Sequence, residues 1–143
     1  MEQLITFATN HPLLSSVWAA IVLMIIFTTI KIQLSPIKQV STQELTLLVN
    51  KQDGAVVDIR TEKEFKAAHI IDAIYFSADK ASKNDFTALE KVKGKPIIIV
   101  CVAGITASKI ANQLLKAGFT QVNILKGGMN AWSGAGLPTT QKK

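Results

Sequence analysis

The chain has 143 residues, 48% of them hydrophobic, with sixteen basic against ten acidic residues and a single cysteine. That length holds one compact domain plus a short appendage. One cysteine excludes an intramolecular disulfide framework, and lysines scattered among few aromatics leave no nucleic-acid footprint.

The charge is unevenly placed, because all sixteen Lys and Arg lie at or after Lys31. After a short N-terminal segment, residues 1–12, the stretch Leu13–Ile30 (LLSSVWAAIVLMIIFTTI) runs for eighteen residues without a charge. At ~1.5 Å per residue it reaches about 27 Å, close to a hydrocarbon core roughly 30 Å thick. It is predicted as a transmembrane helix, with residues 13–30 in contact with membrane lipid. No Lys or Arg precedes it to form the positive region of a cleaved signal peptide. Lys31 and Lys38 follow it, and the positive-inside rule then puts the rest of the chain in the cytoplasm. That remainder carries sixteen basic and nine acidic residues, a net charge of +7, read as a solvated lysine surface.

Residues 31–39, with Ser35-Pro36 at their middle, read as a linker; residues 40–139 as one domain; residues 140–143 as a tail. Within the domain, short apolar runs alternate with helical patterns, which predicts an α/β fold with a parallel sheet flanked by helices. Ser41-Thr42-Gln43-Glu44 is a capping box opening a helix with Leu45, Leu48 and Val49 on its apolar face. Ala55–Ile59 is a short buried strand. A second capping box, Thr61-Glu62-Lys63-Glu64, opens a helix that turns Phe65 and Ala68 inward, and Ala73–Phe76 is a brief strand. Asn84 or Asp85 is expected to cap a helix carrying Phe86, Leu89 and Val92. Pro96–Val100 (PIIIV) is the candidate central strand, apolar enough for burial on both faces. Ile110, Ala111, Leu114 and Leu115 mark a helix ending before Gly118, a C-cap glycine. Val122–Leu125 is a strand, and Gly127-Gly128 turns into a short helix with Met129 and Trp132.

Cys101 stands where the central strand ends, followed by the loop Val102-Ala103-Gly104-Ile105-Thr106 and then a helix. In open α/β sheets ligands bind at the carboxyl ends of strands. A loop that leads into a helix presents backbone N–H groups with no internal partner, and Gly104 lets the chain curl so that those amides converge. Convergent amides and a helix N-terminus stabilise negative charge, which suits a nucleophilic thiolate and the anionic persulfide it would form. The plainer alternative is a small buried hydrophobe. No His/Cys/carboxylate cluster suggests a metal and no Gly-rich loop suggests a nucleotide, so no cofactor is implied.

The runs Val56-Val57-Asp58-Ile59-Arg60, Glu64-Phe65, Ala68-His69-Ile70, Val100–Gly104, Leu115–Phe119, Leu125–Met129 with Trp132, and Gly136-Leu137-Pro138 fall in one order along the soluble part. In that order and spacing the chain resembles the single-domain rhodanese-like (thiosulfate sulfurtransferase-like) family, and with its anchor it resembles the YibN-type membrane proteins of bacteria. The resemblance implies a bacterial inner-membrane location. It implies a catalytic Cys101 that takes sulfane sulfur from a small donor and passes it to a thiol or protein acceptor. It implies a six-residue loop, Cys101 to Thr106, that binds the substrate. It also implies structural support: Asp58 and Arg60 brace the loop with Glu64 as a possible partner, and His69 sits in a structural turn. One departure stands out. Many members carry Arg or Lys in the loop, often at the position of Thr106, whereas here the loop has no cation and Arg60 is the chain's only arginine. That excludes phosphatase chemistry, which needs an arginine to neutralise the transferring phosphoryl group. Lys126 and Lys109 could add positive potential, but exposed lysines need no such role. Two main readings stay open, a sulfurtransferase or a non-catalytic docking module for a membrane-associated protein complex, with a sensor that reads oxidation of Cys101 as a third and weaker one.

Overall fold

The computed structural model describes residues 2–33 and 36–142. Met1, Leu34 and Ser35 of the expected linker, and Lys143 of the expected tail lie outside them. The chain divides into two units, residues 1–35 and 36–143.

The first unit consists of helix α1 (Glu2–Asn10) and helix α2 (Pro12–Gln33). Residues 2–10 of the short N-terminal segment are therefore helical. Pro12 starts α2 at a first-turn position, where its missing N–H is no loss. The nineteen residues Pro12–Ile30 are long and apolar enough to cross a membrane, and none is buried in the protein. With Leu13, Trp18, Met24 and Phe27 all exposed, the whole circumference of α2 is apolar. A helix of this kind is stable in lipid or in a large core rather than in water.

The second unit is built on a five-stranded sheet. Its elements are β1 (Lys38–Val40), α3 (Thr42–Gln52), β2 (Ala55–Asp58), α4 (Glu62–Ala67), β3 (His69–Ile70), β4 (Ile74–Tyr75), α5 (Ala78–Ser82) and a 3-10 helix (Thr87–Val92). They continue with β5 (Ile97–Val100), α6 (Ala107–Lys116), β6 (Val122–Leu125), α7 (Gly128–Gly134) and β7 (Thr139–Thr140). The sheet runs β1-β6-β5-β2-β4, all parallel. A separate antiparallel ribbon pairs β3 with β7, His69 opposite Thr140 and Ile70 opposite Thr139.

The PIIIV run occupies the centre of this sheet, and its apolar character follows from that place. Successive side chains point to opposite faces. Ile97 and Ile99 join Val57, Phe76, Phe86, Leu89 and the inner face of α6 in one core layer. Ile98 and Val100 join Leu45 of α3 and Met129 and Trp132 of α7 in the other. All four β5 residues are inaccessible, so helices on both sides shield the strand that leads to Cys101.

Both capping boxes are present. The Ser41 hydroxyl accepts from the Glu44 N–H while the Glu44 carboxylate accepts from the Ser41 N–H at 2.7 Å. Thr61 and Glu64 repeat the arrangement. Two expectations differ, and one short helix was not anticipated. Lys38–Val40, placed in the linker and at the domain's edge, is strand β1; two of its three residues are exposed, so it lacks the apolar run that marks a strand. The helix expected around Phe86 and Leu89 is 3-10, without a side-chain cap, because Asp85 turns to Thr87 instead, accepting from its N–H and hydroxyl. Helix α5, capped by Ser77, is too short to show a period.

Hydrogen bonds from Ser41, through its backbone and then its hydroxyl, hold the Glu44 carboxyl below the usual carboxylate range; those from Thr61, hydroxyl first, do the same for Glu64. A carboxyl depressed on folding contributes stability that is present above its unfolded pKa and lost as pH falls through the folded one. Replacing Glu44 and Glu64 together by Gln is expected to flatten the acid limb of stability. Urea midpoints measured from neutral pH down to strong acid check this. The variant should lose less stability on acidification than the native chain.

Candidate functional site

Chain direction alone brings the site residues together. In a parallel sheet, all strand carboxyl ends lie on one edge, and three converge there: β5 ending at Val100, β2 at Asp58 and β6 at Leu125. Ile59 donates to the Val100 carbonyl at 3.0 Å, which ties the exit of β2 to the exit of β5 just before Cys101.

Cys101 is 5% exposed and touches the core layer that faces α6. The plainer expectation, a buried cysteine, thus holds as far as burial goes. Its sulfur is nonetheless met by a polar group: the Gly104 N–H points at Sγ, with nitrogen and sulfur 2.8 Å apart. Gly104 reaches this geometry with φ +86°, a conformation that a side chain disfavours. Added carbon at Gly104 would also sit 3.2 Å from the Gly127 nitrogen and 3.3 Å from the Leu125 carbonyl oxygen. Among the described residues, the amides of Val102, Ala103, Ile105 and Thr106 donate to nothing in the chain. Beyond them begins α6, whose first-turn amides have no partner within the helix. Cys101 through Thr106 therefore form a loop that offers uncommitted N–H groups and no side-chain cation.

The rim of this loop is apolar. Ile105 is 83% exposed and Val102 45%, while Thr106 is exposed and makes no cap bond to α6. Lys126 lines a hollow of about 340 Å³ together with Gln39, Ala103, Gly104, Ile105, Ser108 and Gly127. Cys101 is not among its walls. Lys109, on the first turn of α6, is exposed.

The supporting residues divide. Arg60 clamps Asp58, with Nε 3.0 and 3.1 Å from the two carboxylate oxygens and a terminal nitrogen 2.7 Å from one of them. The same terminal nitrogen reaches the Ala68 carbonyl at 2.6 Å. Both side chains are nearly buried, Asp58 at 1% and Arg60 at 8%. The pair ties the end of β2 to the end of α4. Among the described residues, no hydrogen bond joins the pair itself to residues 101–106. Glu64, expected as a possible partner, closes the capping box with Thr61; the Thr61 hydrogen bonds lead in holding its carboxyl below the usual range, and the Arg60 charge adds to them. A carboxylate three residues into a helix is better placed for its own N-cap. His69 is structural: Nδ1 lies 2.7 Å from the Phe65 carbonyl and the ring stacks on Phe65, centroids 3.9 Å apart.

Residues 41–135 match the profile of the rhodanese-like domain. The chain belongs to the rhodanese-like family. Protein YibN of Escherichia coli K12, itself uncharacterised, is 38% identical over 143 residues, the full length of both chains. The thiosulfate sulfurtransferase GlpE of Coxiella burnetii is 33% identical over 96 residues, 66% of this chain and 86% of that one. Among solved structures, a rhodanese-like domain protein from Staphylococcus aureus superposes with a TM-score of 0.60 at 27% identity, covering 74% of this chain and 99% of its own. The expected fold, a parallel sheet flanked by helices, is the rhodanese fold.

Two backbone donors escaped the sequence. Met129 donates to the Cys101 carbonyl at 2.8 Å and Asn130 to the Val102 carbonyl at 3.1 Å. The only sequence signal was Gly127-Gly128, which marks a turn without showing what it touches.

Losing one partner of a buried ion pair leaves a buried charge unmatched, at a cost of about 3–5 kcal/mol. Arg60→Ala is expected to destabilise the rhodanese unit on that scale, measured by urea unfolding of the full chain in detergent. Gly104→Ala should leave the fold in place but displace the amide from Sγ. Reaction of Cys101 with a disulfide reagent at neutral pH is expected to slow by at least about threefold, a partial loss of one hydrogen bond to a charged group.

Proposed function

We propose that this protein is a membrane-anchored rhodanese-type sulfurtransferase that carries sulfane sulfur as a persulfide on Cys101. The observation that carries this reading is the Gly104 amide aimed at Sγ, within a loop whose other amides are free. The Cys101 thiolate attacks the outer sulfur of a donor persulfide or polysulfide. The new S–S bond forms on Cys101 as the donor's S–S bond breaks, and the donor leaves as a thiolate. An acceptor thiolate, on a small molecule or a protein, then attacks the outer sulfur and releases Cys101 as thiolate. The sulfur atom keeps its oxidation state throughout, so the cycle needs no outside oxidant or reductant. The loop amides stabilise the anion in both resting forms.

The donor class follows from what the site lacks. The chain's one guanidinium is committed to Asp58 and Ala68, so an oxyanion donor would meet amides and Thr106 alone. Charge-assisted guanidinium bonds are roughly twice as strong as neutral ones. Persulfides and polysulfides are the better donors here, and thiosulfate the poorer one. In the same reading, residues 13–30 cross the inner membrane of a bacterium with the rhodanese domain in the cytoplasm. The length and apolarity of α2 and the lysines after it support this.

A second reading has its own support. The exposed apolar rim at Val102 and Ile105, with no cation in the loop, suits a module that docks a membrane-associated protein without turning over sulfur. Intact mass of the full chain after exposure to polysulfide separates the two. An adduct of one sulfur atom, absent in Cys101→Ser, is expected. No adduct, with Cys101→Ser fully functional in cells, would favour docking. Thr106→Arg is expected to raise turnover with thiosulfate relative to polysulfide by about tenfold, the worth of one added charged hydrogen bond. Steady-state rates with both donors test this, and a native chain that already prefers thiosulfate would contradict it.

A further inference from the structure

The turn and first residues of α7 touch the loop from behind, and their contacts decide which way its amides face. The Cys101 carbonyl accepts from Met129 and the Val102 carbonyl from Asn130, at 2.8 and 3.1 Å. No peptide bond among the described residues is cis. A planar trans peptide carries its C=O and N–H in opposite directions. Turning those two carbonyls toward α7 therefore turns the N–H groups of Val102 and Ala103 away from it. These are two of the four loop amides without a partner, and they precede the Gly104 amide that meets Sγ.

Gly128 makes this contact possible. It adopts φ +57°, and a Cβ there would stand 2.3 Å from the Cys101 carbonyl oxygen and 2.7 Å from that of Val102. Nothing larger than hydrogen fits between the turn and the loop carbonyls. Gly127, at φ +76°, has its own obstacle, a Cβ position 2.8 Å from the Ala131 methyl. Two successive left-handed glycines let β6 end, reverse, and start a helix with its first amides already against the loop.

We propose that the start of α7 is the orienting device of the amide cradle: Gly128 and the N–H groups of Met129 and Asn130 are positioning groups that aim the Val102 and Ala103 amides at negative charge on Cys101. They act through the loop backbone and touch no substrate. This deepens the sulfurtransferase reading and rests on it for its biological meaning, while its geometry can be tested without any sulfur transfer.

The test uses alkylation of Cys101, the chain's only cysteine, in the full chain in detergent. The rate with anionic iodoacetate divided by the rate with neutral iodoacetamide cancels the fraction of thiolate and reports the field of the oriented amides. Asn130 is exposed and lies in the first turn of α7, where proline is tolerated. Asn130→Pro deletes the N–H, and Asn130→Ala keeps it while removing the same side chain. The ratio is expected to stay native in Asn130→Ala and to fall at least about threefold in Asn130→Pro, a partial loss of one hydrogen bond to charge. Equal ratios in the two variants would overturn the proposal. The native chain gives a second measurement that no folding defect can obscure. With valine and alanine amides isotopically labelled, the Val102 and Ala103 amide protons should move downfield in the carboxymethyl adduct relative to the carbamidomethyl adduct. Identical shifts would overturn it. A chain that takes up no sulfur from polysulfide yet passes both tests would refute the transferase reading and leave the orienting role standing.

Discussion

The hydrogen bond from the Gly104 amide to the Cys101 sulfur is the contact on which the rest of this molecule converges. It needs a strand that stops at Val100, a chain that curls at once, and a surface behind the curl that keeps it closed. The first comes from β5, sealed between two core layers so that its end cannot fray. The second comes from the left-handed backbone at Gly104. The third comes from the Gly127-Gly128 turn, which packs so near that a methyl group on Gly128 would collide with the Cys101 carbonyl. An apolar strand, a glycine three residues after the cysteine and a glycine pair beyond the next strand thus serve one sulfur atom.

Charge at this site is a property of the main chain. The only arginine is nearly buried and committed to Asp58 and to the end of α4, so it stabilises the scaffold and leaves the loop neutral. Exposed lysines such as Lys126 and Lys109 act through water and salt, which weaken them over roughly 8–10 Å at physiological ionic strength. Oriented amides need no counterion and no flexible side chain to be ordered. They suit a small anionic sulfur species better than a bulky oxyanion, which gains most from a guanidinium fork. The apolar rim formed by Val102 and Ile105 suits an approaching acceptor that is itself partly apolar. In the proposed reading, where α2 is a membrane anchor, such encounters are confined to the neighbourhood of a membrane.

Much of this was legible from residue order. Both capping boxes, the central PIIIV strand, the helix before Gly118 and the position of Cys101 at a strand end rest on local chemistry that a sequence displays directly. The lone arginine and the cation-free loop were equally plain. What escaped was set by tertiary contact. Strand β1 is an edge of three residues, two of them exposed, with no period to read. Asp58 and Arg60 were recognised as a pair, but the second acceptor of Arg60, the Ala68 carbonyl, is a backbone atom that no side-chain pattern announces. The same holds for the Met129 and Asn130 amides behind the loop.

The burial of Cys101 gives the question its edge, because a cysteine 5% exposed and packed on a core layer could equally be inert. An experimental structure of the full chain after treatment with polysulfide decides between these most directly. A second sulfur bonded to Sγ, within hydrogen-bonding reach of the Val102, Ala103 and Gly104 amides, is the result expected. A bare Sγ under saturating donor, or an added sulfur turned into the apolar layer with those amides pointing elsewhere, would contradict it.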